Sequence, residues 1–198
     1  MRTVALVLGC LLLAAATAHA DGNVLLRFYY SPEAVGVIHK SPADPNGKDK
    51  SEAVDSTWKA DLELILWGHL GLSGTRQNVL RDFDNGAGQK VHEEWVQVSW
   101  NAALYLRQAG YNKFNAYAGA GTGQVEKYKY SFDDVAQNTR RRDMSMPLTR
   151  TFAGIDYTFE RIGFRYEYNT VDVEKDSPGF KDKISQTYQH IGFFIPFN

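Results

Sequence analysis

Between Trp95 and Arg107 the chain alternates. Val96, Val98, Trp100, Ala102, Leu104 and Leu106 form one comb, and Gln97, Ser99, Asn101, Ala103, Tyr105 and Arg107 the other. The first is apolar and the second mostly polar, so the stretch predicts a long β-strand with unlike faces. Eight stretches of this kind can be placed, near residues 23–31, 57–67, 70–80, 93–107, 114–130, 149–159, 162–174 and 186–197. Tyr, Phe, Trp and Val enrich them, as pleated surfaces favour. In the second stretch Trp58, Ala60, Leu62, Leu64 and Leu66 oppose Lys59, Asp61 and Glu63. In the seventh, Ile162, Phe164, Tyr166 and Tyr168 oppose Gly163, Arg165, Glu167 and Asn169. The third is the weakest, because Arg76 falls on the comb of Leu70 and Leu72.

The connections alternate in length. Gly68-His69, residues 108–113 and Glu160-Arg161 make tight hairpin turns. Residues 32–56, 81–92, 131–148 and 175–185 are long, polar and rich in Gly, Pro, Asp, Asn and Lys. The expectation is an all-β fold: an eight-stranded antiparallel up-and-down transmembrane β-barrel, with short periplasmic turns and long extracellular loops. A soluble barrel with a salt-bridged outer face is the alternative the pattern leaves.

The polar combs favour the membrane reading. They carry Arg27, Lys59, Arg107, Arg150 and Arg165 beside Asp61, Glu63, Asp156 and Glu167. Five cations and four anions nearly cancel, arginine forks suit carboxylates, and interspersed glycines suit a lumen little wider than its side chains. Tyr105, Phe114, Tyr157, Phe159, Phe193 and Phe197 near the turns, and Tyr30, Trp58, Trp95, Tyr128 and Tyr130 near the loops, are expected as two interfacial girdles.

Arg2, an apolar run from Val4 to Ala16 and the small-x-small end Ala18-His19-Ala20 read as a cleaved signal peptide, residues 1–20, ahead of a barrel domain, 21–198. The mature part then has 21 basic and 23 acidic residues and no cysteine, since Cys10 lies in the signal. That balance argues against nucleic acid as a general partner.

The chain resembles the small eight-stranded outer-membrane barrels of Gram-negative bacteria, of OmpA or OmpX type. The stretches that carry the resemblance are FNAYAGAGTGQ, TFAGIDYTFERIGFRYEYNTVD and the closing YQHIGFFIPFN. The resemblance implies a bacterial outer-membrane location among lipid and lipopolysaccharide. It also implies recognition of the last strand by the barrel-assembly machinery, although here Phe197 is penultimate and Pro196 interrupts the strand.

Candidate chemistry is sparse. His39 and His92, in or beside outer loops, are the weak catalytic candidates. His190 reads as a histidine hydrogen-bonded in a polar lumen. No Cys/His cluster suggests zinc, no EF-hand spacing suggests calcium, and no cofactor is expected. Arg140, Arg141 and Arg142 form a run suited to phosphates on lipopolysaccharide. The sequence therefore favours a structural or surface-interaction role, in envelope integrity or in contact with lipopolysaccharide or an outside partner through the loops. A small pore and a lipid A-modifying hydrolase are the alternatives.

Overall fold

A computed structural model of the chain describes residues 24–38, 52–85, 89–107, 113–132, 140–142, 146–159, 161–177 and 180–197. The expected signal segment, residues 1–20, and His39 lie outside the described residues. The strands in chain order are β1 (Val24–Ile38), β2 (Glu52–Val54), β3 (Ser56–Leu66), β4 (Leu70–Asn85), β5 (Gln89–Tyr105), β6 (Lys113–Phe132), β7 (Arg140–Arg142), β8 (Met146–Thr158), β9 (Gly163–Ser177) and β10 (Phe180–Phe197). Eight long strands pair antiparallel, each with the next, and β10 returns to β1 to close the barrel. The short β2 pairs with β1 and the short β7 with β6. Closure leaves the barrel wall without an open edge.

The turns explain the tightness at one end. Trp67 and Gly68 both have positive φ, 51° and 70°, and the His69 amide donates to the Leu66 carbonyl at 3.0 Å. Two left-handed residues between paired strands match the right-handed twist of a hairpin. At the other end the strands outrun their expected limits. β4 and β5 stay paired as far as Asn85↔Gln89, and β9 and β10 as far as Ser177↔Phe180. Two of the connections expected as long loops are therefore largely continued hairpins, whose polar residues hide the pairing from a hydropathy pattern.

Register fixes the slant. Hydrogen-bonded partners followed once round the barrel from Leu26 lead back to Val37 on the same strand. That is eleven positions further on, or ten once the extra residue at the β1 bulge near Pro32 is discounted. Such stagger goes with a strand tilt of roughly 35–45° and an interior that side chains fill.

The faces follow strand parity. On β8, alternate residues are buried and exposed from Met146 to Thr158. Phe28, Leu104, Phe114, Ile155, Phe164, Tyr166, Tyr168, Ile191, Phe193 and Ile195 are exposed on the outside, whereas Arg27, Lys59, Glu63, Arg150, Asp156, Arg165 and Glu167 are buried within. A charged interior under an oily exterior is the arrangement of a barrel solvated by lipid. Ala118, exposed on the outside of β6, lies in the middle of this apolar belt, and Val98 lies at its upper edge. In denaturant titrations of barrels refolded in lipid vesicles, Ala118→Arg is expected to destabilise by about 2–4 kcal/mol, and Val98→Arg by about 0–1 kcal/mol.

Candidate functional site

The interior has two tiers. The lower tier, near the tight turns, is ionic. Arg165 sits at its centre, with Nη2 at 2.7 Å from Glu63 Oε2, 2.8 Å from the Tyr105 hydroxyl and 3.4 Å from Asp156 Oδ2. The Tyr105 hydroxyl donates to Glu63 Oε1 at 2.7 Å. Arg27 reaches Asp156 Oδ2 at 3.0 Å and its guanidinium lies 4.5 Å from the Phe194 ring centre. Above them Glu167 accepts from Lys59 at 2.5 Å, from Arg150 at 2.7 Å and from the Tyr117 hydroxyl at 2.9 Å, and Lys59 also pairs with Asp61 at 2.7 Å. Glycines make the room: a Cβ at Gly163 would run into the Phe194 ring, and one at Gly154 into Tyr117.

The upper tier is apolar. Val54, Val79, Trp95, Val125, Met146, Leu148, Val171, Val173 and Tyr188 form one buried cluster. Between the tiers Gln97 donates to Gln186 at 2.7 Å, and Gln77 to Thr57 at 3.1 Å. On top, Arg81 pairs with Glu93 at 2.5 Å, and the Tyr128 hydroxyl also donates to Glu93. The lumen is thus filled along its height, and the charged groups of the lower tier are met by opposite charge.

The outer face changes at the same height. On β9, Phe164, Tyr166 and Tyr168 give way to Thr170 and Asp172, as the inner face turns from Glu167 and Asn169 to Val171 and Val173. On β8, Ile155 and Ala153 give way to Thr151 and Thr149, as Arg150 gives way to Leu148 and Met146. On β6, Ala116, Ala118 and Ala120 are followed by Thr122 and Gln124, with Val125 inside. Below this level the barrel is oily outside and ionic inside; above it β6, β8 and β9 turn polar outside and apolar inside, with the Arg81–Glu93 pair over the apolar cluster. Such an inversion is expected where strands leave hydrocarbon for water.

The nine residues expected to form the ion-pair set divide. Arg27, Lys59, Asp61, Glu63, Arg150, Asp156, Arg165 and Glu167 come together in the lumen, four cations with four anions. Arg107 does not join them. It is exposed on the bend after β5, where its amide and carbonyl bond to the Asn115 side chain. Parity alone had put it inside, but the strand ends at Tyr105.

Three aromatic residues also move. Tyr105 belongs to the ionic lumen rather than to a girdle, and Trp95 and Tyr128 pack on the upper cluster, their rings 6.1 Å apart. Parity could have found Tyr105, which falls on the polar comb. The upper cluster and the Arg81–Glu93 pair were missed, although Val79, Leu148, Val171 and Val173 all interrupt polar combs. His190 lies buried with Nδ1 at 3.4 Å from Ser31 Oγ. His92 stands on the outer face above the inversion, its Nδ1 at 2.7 Å from Asp82 Oδ1, both side chains about half exposed. The register places Ser131 on β6 opposite His92 and Asp82 on β4 opposite it on the other side. The Arg140–Arg142 backbone forms β7, with Arg141 opposite Lys129.

No protein-family model matches the chain, and no curated protein matches it in sequence. Solved structures do. Neisserial surface protein A superposes with a TM-score of 0.63 at 9% identity, over 88% of this chain and 97% of its own. Ail of Yersinia pestis, in complex with the heparin analogue sucrose octasulfate, gives 0.52 at 13% identity, over 88% and 98%. The N-terminal β-barrel domain of OprF from Pseudomonas aeruginosa gives 0.51 at 10% identity, over 88% and 98%.

The fold is that of the small outer-membrane barrels. In a barrel of this build the buried lumenal charges act as one unit, and removing one leaves its partners buried and unpaired. Arg165→Ala is expected to destabilise the refolded barrel by about 3–5 kcal/mol. Arg107→Ala should stay within about 0.5 kcal/mol of the parent. Equal effects in the same denaturant titration would count against the lumenal role of Arg165.

Proposed function

We propose that this chain is an integral protein of the bacterial outer membrane, with the barrel as a closed anchor and its contacts made by the strand ends outside the bilayer. The observation that carries this reading is the filled lumen. Ion pairs occupy its lower tier and an apolar cluster its upper tier, which supports a rivet more than a pore. A basic run lies in a strand above the apolar belt. β7 consists of Arg140, Arg141 and Arg142 and extends the sheet beside Lys129, with the exposed Lys127 near by. Phosphate on lipopolysaccharide and the sulfates or phosphates of an outside glycan are the chemistry such a run recognises. Ail, which shares the fold, is solved in complex with the heparin analogue sucrose octasulfate, and this supports the reading. Export by the signal segment 1–20, and recognition of the alternating β10 by the assembly machinery, belong to the same reading.

Planar-bilayer recordings of the refolded barrel are expected to show no discrete open level, and stable steps of large conductance would overturn the reading. Retention on a heparin column should weaken by roughly 1 kcal/mol for each arginine replaced in the series R140Q, R141Q, R142Q.

One observation favours a second reading, a lipid A-modifying hydrolase. Asp82 orients His92 at 2.7 Å, and Ser131 occupies the register position opposite. An oriented histidine beside a serine is the arrangement that activates a hydroxyl for attack on an ester. On this reading the purified barrel releases fatty acid from lipid A, and both His92→Ala and Ser131→Ala abolish the release; no release from the parent protein eliminates it.

A further inference from the structure

Arg76 breaks the apolar comb of β4, and the fold does not hide it. Its side chain is exposed on the outside of the barrel, where β4 pairs it with Ala60 on β3 and Val98 on β5. The outward positions around it are Trp58, Ala60, Asn78, Val98 and Trp100, all uncharged. Among the described residues no carboxylate meets its guanidinium. A bare cation on a lipid-facing wall is costly at mid-membrane and tolerable at a surface. Its height therefore decides its role.

The register supplies the height. The hydrogen-bonded path climbs ten residues in one circuit of eight strands, so a level position on the next strand lies just over one residue below the paired one. Traced this way from Arg76, the level positions fall within about one residue's rise of Thr122, Thr151, Thr170, Gln189 and Glu33. The first four are the outward residues at which the apolar belt ends on β6, β8, β9 and β10. The same level is where the inner face turns from ions to Val and Leu. Two independent features of the wall thus put Arg76 at the outer surface of the hydrocarbon. It is the one cation among these level residues, with the indoles of Trp58 and Trp100 at the diagonal positions above and below it, side chains suited to a membrane interface.

We propose that Arg76 is a binding site for the phosphate of an outer-leaflet lipid. The four-bond stem can lie along the wall while the fork rises to the headgroup plane and takes two phosphate oxygens. The site differs in place from the basic β7: it takes a phosphate at the headgroup plane, whereas β7 pairs with β6 at Tyr128–Tyr130, well above the level of Thr122, and meets phosphates or sulfates carried higher on a glycan. The inference rests on the outer-membrane placement proposed above.

The test uses the full barrel in nanodiscs, with lipid A bearing both phosphates and the same lipid after phosphatase treatment as the two probes, read by native mass spectrometry. The parent protein should retain the phosphorylated probe roughly tenfold better, the scale of one charge-assisted hydrogen bond. R76Q should erase the difference, R76K should keep part of it, and R140Q/R141Q/R142Q should keep all of it. Inorganic phosphate at matched concentration should not displace the lipid. Equal preference in the parent and R76Q, or displacement by inorganic phosphate, overturns the site while leaving the barrel reading intact. Failure of the parent to insert into the nanodisc overturns the barrel reading itself.

Discussion

Charge neutrality inside a narrow cylinder packed with side chains is the constraint on which this structure depends. Eight strands at this stagger enclose little beyond side-chain volume. A carboxylate buried there, as Glu63, Asp156 and Glu167 are, is costly unless it meets a cation in the same space. Four cations and four anions do so in the lower tier, bridged by the hydroxyls of Tyr105 and Tyr117 and faced by the rings of Phe194 and Phe152. Gly154 of β8 and Gly163 of β9 follow from the same crowding, because the rings of Tyr117 and Phe194 fit only opposite an absent side chain.

The exchange of faces part-way up the strands shows that the chain is written for two solvents in succession. Where hydrocarbon bathes the wall, burying oil inside would gain nothing, and the interior is free to be polar. Once water bathes it, the interior must hold the oil, as in any soluble sheet protein. Val171 and Val173 continue the strand of Arg165 and Glu167 without a break in pairing, so the switch lies in composition rather than in backbone.

Much of the barrel was legible as a period of two. The parity of β3, β8 and β9 assigns Lys59, Glu63, Arg150, Asp156, Arg165 and Glu167 to one interior without any knowledge of contacts. What parity lacks is an end point. Arg107 sits on the right comb but beyond the last paired residue, and only the bend after Tyr105 turns it out. It also lacks height. A comb read as continuously polar conceals the passage from Gln77 to Val79, and polar hairpins above the bilayer look like loops. Tyr105 was misplaced for a third reason: closeness to a turn suggested an interface, although its parity already pointed inward. For His92, the sequence supplies the residue but not its partner, because Asp82 becomes a neighbour only through the β4–β5 pairing.

The joint between β1 and β10 is the least regular in the wall. It combines a bulge between Tyr30 and Glu33 with a proline, Pro196, that has no amide hydrogen to share. It also unites the two ends of the barrel sequence, so its closure spans the longest loop in the fold. A cylinder built this way joins sequence neighbours all round its wall except at a single slit, where its first strand meets its last.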